Sequence, residues 1–325
     1  MEENIFQNRM DLTALNEQVK KIKATLGEVI VGQETMIDLL ITAILADGHV
    51  LIEGVPGVAK TLTAKLVSKI ISVDFSRIQF TPDLMPSDIL GTSVYNLKTS
   101  EFEFNAGPIF SNIILIDEIN RAPAKTQAAL FEVMEERQVT IDGHTHRMNP
   151  PYVVLATQNP IEQEGTYRLP EAQLDRFLFK IAVGYPSQAE EIEILHRHHE
   201  RRGIHPVAEV NAVLTAEQIN GFRQFAQQVH IEKNLLTYIA QIIQETRNNP
   251  SLFLGASPRA SIAILMAAKS FAMISGRDFV SPEDIKFVAL PVLRHRVILS
   301  PEKEMEGVST DDVVKQIIDK IEVPR

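Results

Sequence analysis

Cysteine is absent from the 325 residues. That excludes disulfides, cysteine-ligated zinc and thiol nucleophiles. Long apolar runs are missing too: none approaches the roughly 18–20 residues a membrane-crossing helix needs, so no transmembrane segment is expected. The opening MEENIFQNRMDL lacks the basic region and apolar stretch of a secretory signal, and a cytoplasmic location is the expectation. Positive charge is in deficit, with 32 Lys plus Arg against 42 Asp plus Glu and a formal net charge of −10. Such a balance disfavours a broad footprint on nucleic acid or anionic membrane, while leaving room for a local basic channel. Internal repeats and low-complexity tracts are also lacking. What remains is an ordinary globular mixture, 45% hydrophobic and 23% charged, able to bury a sizeable core. At roughly 150 residues per domain, the length suggests two domains.

The first two-thirds alternates short apolar runs with helical patterns, as βαβ units around a parallel sheet do. A polar helix comes first, and the runs His49–Glu53, Phe75–Phe80, Ile113–Asp117, Tyr152–Thr157 and Phe177–Val183 read as strands. Lys60–Ile71 and Ala124–Arg137 carry apolar residues at helical spacing. Gln138–Met148, with Asp142-Gly143 at its centre, reads as a hairpin. The pattern changes at Gly184-Tyr185-Pro186-Ser187, where Ser187 is a plausible N-cap. From Gln188 onward only helical periodicity is found, near 188–202, 215–229, 232–247, 258–275 and 281–298. The expected architecture is α/β: a sheet domain over 1–184, with an excursion at about 81–110, and a smaller all-helical domain over 185–325.

The strongest motif is Gly54-Val55-Pro56-Gly57-Val58-Ala59-Lys60-Thr61, followed by Leu62. It directly follows the apolar run Val50-Leu51-Ile52 and directly precedes a helix, the context of a phosphate-binding loop. Gly54 and Gly57 let backbone N–H groups wrap an anion, and the helix N-terminus adds its dipole. Lys60 brings a charge for the β/γ phosphates, and Thr61 a hydroxyl for Mg²⁺. The residue before the lysine is Ala59 rather than glycine, and the loop closes with it if that position needs no positive φ. A plain Gly/Pro turn into a helix is the alternative. Ile113–Asp117 ends in Asp117-Glu118, and strand carboxyl ends in a parallel sheet face the ligand crevice. Asp117 would orient the Mg²⁺ shell and Glu118 would polarise the attacking water. The bland alternative is a buried strand with two solvated acids. Tyr152–Thr157 is followed by Gln158-Asn159-Pro160, whose amide could hold the water or the γ-phosphate; alone, Asn159-Pro160 is a common turn.

Together these segments resemble the MoxR family of AAA+ ATPases. The resemblance rests on Gly54–Thr61, Asp117–Pro123, Ala156–Pro160, Gly165–Phe177 and Gly255–Arg259, and it covers essentially the whole chain. Ala59 matches that family's own version of the loop. The resemblance implies an AAA+ P-loop core with a helical lid, bound ATP and Mg²⁺, and assembly into a homo-oligomeric ring, expected to be a hexamer. It also implies chaperone-like remodelling, assembly or activation of protein clients, commonly with a partner bearing a von Willebrand factor A domain. By the same resemblance Val31-Gly32 touches the adenine, Asn159 is sensor 1, Arg176 is the finger reaching the neighbouring subunit's γ-phosphate, and Arg259 is sensor 2, contacting phosphates of its own subunit. Arg168 is a second candidate for the trans role. A chelatase-type motor subunit for metal insertion is the alternative within the same class, and an ATP-gated scaffold with little hydrolysis is the alternative from another, against which Asp117, Glu118, Asn159 and Arg176 argue.

The excursion Thr81–Phe110, with alternating Glu101-Phe102-Glu103-Phe104, resembles the insertion some AAA+ clades turn toward the ring pore; a structural hairpin packed on the core is the alternative. His196, His198, His199 and Glu200 read as a solvated or packed helix, since i, i+2 and i+3 do not share a face. Arg201-Arg202 and Arg294-His295-Arg296 read as solvated or inter-subunit faces.

Overall fold

The computed structural model describes residues 12–324 except Pro56, 161–165, 202–206, 208 and 209, so the expectations for Pro56, Gly165 and Arg202 lie outside the described residues. The chain runs through α1 (Thr13–Gly27), α2 (Glu34–Leu45), β1 (His49–Gly54), α3 (Lys60–Ile71) and β2 (Phe75–Gln79). Next come α4 (Pro86–Leu90), the hairpin β3 (Gly91–Asn96) and β4 (Glu101–Ala106), β5 (Ile113–Asp117) and α5 (Ala124–Glu136). A second hairpin, β6 (Gln138–Ile141) and β7 (His144–Arg147), leads to β8 (Val153–Gln158), α6 (Glu171–Leu174) and β9 (Phe177–Val183). The remainder is α7 (Gln188–Glu200), α8 (Ala216–Gln228), α9 (Lys233–Asn248), β10 (Leu252–Leu254), α10 (Pro258–Ile274), α11 (Pro282–Leu293), β11 (Ile298–Leu299), α12 (Pro301–Met305) and α13 (Thr310–Lys320).

Five strands form one parallel sheet in the order β2-β5-β8-β1-β9. Successive side chains of a strand point to opposite faces, and the core divides accordingly. Val50, Ile52, Ile113, Leu115, Val153 and Leu155 join the cluster formed with α1, α2, α3 and the helical domain. Leu51, Ile114, Ile116, Val154 and Ala156 join the cluster formed with α4, α5 and the second hairpin. Covered on both faces, these strands read as continuous apolar runs rather than alternating ones. Truncating a fully buried member such as Leu115 to alanine would cost about 2–5 kcal/mol.

Two departures from the expected helical domain matter below. It is not all-helical, because β10 and β11 pair antiparallel within it. Its helix α11 ends at Leu293, not near 298, so Arg294, His295 and Arg296 leave the helix and turn inward. In the excursion, Phe104 stacks on His146 at 4.2 Å and meets Phe110 edge-on, joining the two hairpins, whereas Phe102 is 73% exposed. The histidines of α7 lie on a helix with no buried residue.

Candidate nucleotide site

The loop after β1 is built by close approach and by two left-handed residues. A Cβ on Gly54 would lie 2.6 Å from the Val183 carbonyl oxygen, so only glycine lets β1 end against β9. Gly57 has φ +88°, which glycine adopts freely. Ala59 has φ 60° and ψ 17°, a correction to the expectation that alanine would sit there in the right-handed region. The position does require positive φ, and alanine bears the crowding of its Cβ, about 1–2 kcal/mol. Lys60 starts α3 and its ammonium donates to the Gly54 carbonyl, folding the lysine back over the loop. Val58 is buried, and Val55, Ala59 and Leu62 pack against the core, anchoring the loop from below.

The acids stand where β5 ends. Asp117 is buried; its Oδ1 accepts from the Thr61 hydroxyl at 3.3 Å and the Thr157 hydroxyl at 3.2 Å. Thr157 in turn accepts from the Glu118 backbone N–H at 3.1 Å, so one hydroxyl on β8 fixes both acidic residues. Arg77, on β2, pairs with the other carboxylate oxygen of Asp117 at 2.6 Å. Glu118, with φ 58°, is half-buried and held by Gln79 at 3.0 Å and Arg121 at 2.8 Å. Asn159 is buried just beyond β8. A threonine hydroxyl and a carboxylate side by side are the hard oxygen donors Mg²⁺ prefers, so Thr61 and Asp117 fit that ion. Sequence reasoning missed the roles of Thr157, Arg77 and Gln79. Thr157 lay within a motif already singled out, while Arg77 and Gln79 alternate along β2 toward the acids, a signal visible only once β2 is known to pair with β5.

Val31 and Gly32 join α1 to α2, and Gly32 has φ +71°. A cavity of about 410 Å³ opens beside them, lined in part by Ile30, Ile37 and Arg197. The side chain of Glu190, in the first turn of α7, presses against Gly32 so closely that a Cβ would meet it at 2.1 Å.

Arg176 and Arg259 lie elsewhere. Arg176 precedes β9, and the register sets Phe177 level with His49 and Val183 level with Gly54. At about 3.3 Å per residue, Arg176 sits roughly 20 Å along the strand from the loop, beyond the reach of its side chain. It donates to the Phe131 carbonyl at 3.1 Å and to Glu135 at 2.9 Å. Arg259, in the first turn of α10, pairs with the other oxygen of that carboxylate at 3.2 Å. In this structure Arg259 does not stand beside the loop of its own chain: the two guanidinium groups share Glu135 at the end of the sheet away from it. Arg168 is exposed.

Residues 49–179 match the ATPase family associated with various cellular activities (AAA), and residues 244–317 match the AAA lid domain. The chain is 44% identical to Chaperone MoxR1 of Mycobacterium tuberculosis over 91% of this chain and 80% of that one. It belongs to the MoxR family of AAA+ ATPases. YeaC of Bacillus subtilis is 48% identical over 92% of both chains, and Protein MoxR of Paracoccus denitrificans is 31% identical over 87% of this chain and 89% of that one. The crystal structure of a proposed ATPase from Cytophaga hutchinsonii superposes with a TM-score of 0.88 at 43% identity, covering 96% of this chain and 97% of that one. The MoxR-family fold is thus an α/β AAA+ core with a C-terminal lid, and no helix among the described residues is long and apolar enough to cross a membrane.

Proposed function

We propose that this chain binds ATP with Mg²⁺ at Gly54–Leu62 and hydrolyses it at junctions between copies of itself in a hexameric ring, using the cycle to remodel, assemble or activate protein complexes in the cytoplasm. The sheet domain in this proposal spans 1–184, with its excursion at 81–110, and the lid spans 185–325. What carries the proposal is the separation just described. Lys60, Thr61, Asp117, Glu118 and Asn159 gather at one end of the sheet, Arg176 and Arg259 at the other, so one copy holds two half-sites that only a second copy can join.

Within the site, Lys60 and the loop N–H groups bind the phosphates, Val31 and Gly32 flank the base, and Thr61 and Asp117 hold the metal. Bound Mg²⁺ would neutralise phosphate oxygens in this arrangement. Glu118 accepts a proton from the attacking water, and Asn159 orients that water. Arg176 and Arg259 of the neighbouring copy offset charge spread over the transferring phosphoryl group. Chaperone MoxR1 bears the name of its activity, which supports protein clients here; that a von Willebrand factor A domain protein is one of them rests on the family resemblance alone. The test is direct: ATP should drive assembly to six copies, seen as a mass shift, and Lys60→Ala should abolish nucleotide binding. Equal ATP affinity in wild type and Lys60→Ala would overturn the assignment. Tight binding with no turnover under any assembly condition would replace hydrolysis by the scaffold function.

A further inference from the structure

The sequence Arg294-His295-Arg296 reads as surface charge, yet the structure buries it. The Arg296 side chain is 4% exposed and the whole of His295 is 7% exposed. Arg296 uses its whole guanidinium fork. Nε donates to Asp175 Oδ1 at 2.6 Å, Nη2 to the carbonyls of Asp175 at 3.0 Å and Phe177 at 2.6 Å, and Nη1 to those of Leu178 at 3.1 Å and Val292 at 2.6 Å. An arginine side chain has five N–H donors, and here each finds an acceptor. His295 Nε2 adds a bond to the Phe177 carbonyl at 3.0 Å, and Arg294 one to the Lys180 carbonyl at 3.3 Å. β9 is an edge strand, and alternate carbonyls along such an edge face outward unpaired. The lid caps that edge with guanidinium groups instead of a sixth strand.

The segment so capped is the one that carries Arg176. A second connection runs in parallel: the Ser257 hydroxyl, at the N-cap of α10, approaches the other oxygen of Asp175 at 3.5 Å, and Arg259 follows two residues later. Asp175 and Glu135 therefore each join the finger segment to the lid.

We infer that Arg296, through Asp175, is a positioning residue for Arg176, fixing residues 175–178 to the lid so that Arg176 and Arg259 are presented to the neighbouring copy as one rigid pair. The inference rests on the trans role proposed above. It assigns to a residue that touches no nucleotide a defect confined to one side of the subunit: a copy altered at Arg296 or Asp175 fails as the giver of the arginines and remains competent as the holder of ATP.

The experiment mixes subunits of the full chain. Arg296→Lys keeps a cation but offers three donors for five acceptors; Asp175→Asn keeps the shape and loses the charge, and carries the test if Arg296→Lys does not assemble. Each should lower turnover on the order of tenfold to a hundredfold, with affinity for a fluorescent ATP analogue within about twofold of wild type. Mixing either with Glu118→Gln subunits should restore turnover, because the altered copy's intact Glu118 then meets an intact neighbouring Arg176. Arg176→Ala mixed with Glu118→Gln runs alongside. If that control shows no rescue, the trans role itself fails and the inference falls with it. If the control is rescued while Asp175→Asn is not, or if Asp175→Asn loses its own ATP binding or turns over like wild type, the positioning role alone is wrong.

Discussion

The two ends of β1 meet opposite fates. At its carboxyl end, beyond Gly54, Lys60 and Glu118 stay half-exposed and Asp117 is buried, and all three are held by contacts that can be exchanged: Lys60 on a carbonyl, Asp117 on Arg77, Glu118 on Gln79 and Arg121. At its amino end, His49 is sealed. Its Nδ1 accepts from the Val154 N–H at 3.0 Å and its Nε2 faces the Met134 carbonyl at 3.2 Å, which fixes a neutral ring with the proton on Nε2. Tyr152 packs edge-on against it at 5.8 Å, and Arg137 and Arg223 both pair with Asp47 nearby. One strand thus carries a site whose charges are available for exchange and a plug whose charges are committed.

The largest expected effect breaks the upper end alone. Glu118→Gln keeps the side-chain volume and removes the base, so turnover should fall on the order of 10²–10⁴-fold while ATP binding persists. His49→Gln at the lower end should leave turnover within about threefold, because glutamine can accept from Val154 and donate to Met134 as the imidazole does. Steady-state rates and nucleotide titrations of both variants would check this. Comparable turnover losses in the two would erase the distinction between the ends.

The next effect concerns acid. Burial, with Arg137 nearby, pushes His49 down to about 3 from its ordinary 6.5. Burial likewise pushes His295 well down, with Arg296 adding to it. Above pH 6.5 the imidazole is neutral folded or unfolded, so it contributes no pH dependence. Between 6.5 and 3 the unfolded chain binds a proton that the folded chain refuses, so stability falls as pH falls, by roughly 3 kcal/mol at pH 4 from His49 alone. Denaturant midpoints measured from pH 7 to 4 should therefore decline more steeply in wild type than in His49→Gln. Parallel curves would mean that the plug does not hold its histidine neutral.

The upper end was far more legible in sequence than the places where distant segments meet. Gly54–Thr61 and Ile113–Glu118 are contiguous, and their chemistry follows from glycine placement and from an apolar run ending in acids. Arg176 and Arg259 share one carboxylate although 83 positions separate them in the chain, and Arg296 reaches Asp175 across 121 positions. No local pattern encodes such a meeting, and three consecutive basic residues look solvated until α11 is seen to end at Leu293. α2 escaped for another reason: it is buried on nearly every face, which erases the amphipathic period. β10 and β11, three and two residues long, are too short to show any period.

The smallest effect sharpens the comparison at the loop itself. Ala59 holds φ 60°, and its methyl packs against the core while straining the backbone. Ala59→Gly removes that strain, about 1 kcal/mol. It also frees the unfolded chain, which takes back about 0.4–1 kcal/mol, and it surrenders some of the methyl's burial. These nearly cancel, so stability should change by less than about 0.5 kcal/mol in either direction. Ala59→Val has no such compensation: a β-branched side chain in the left-handed region crowds the backbone further, and a loss of about 2 kcal/mol is expected. Chemical denaturation of the three proteins without nucleotide gives the order glycine close to alanine and both well above valine. A valine variant as stable as wild type would show that the loop relaxes out of the left-handed conformation, and that the upper end of β1 yields where the lower end does not.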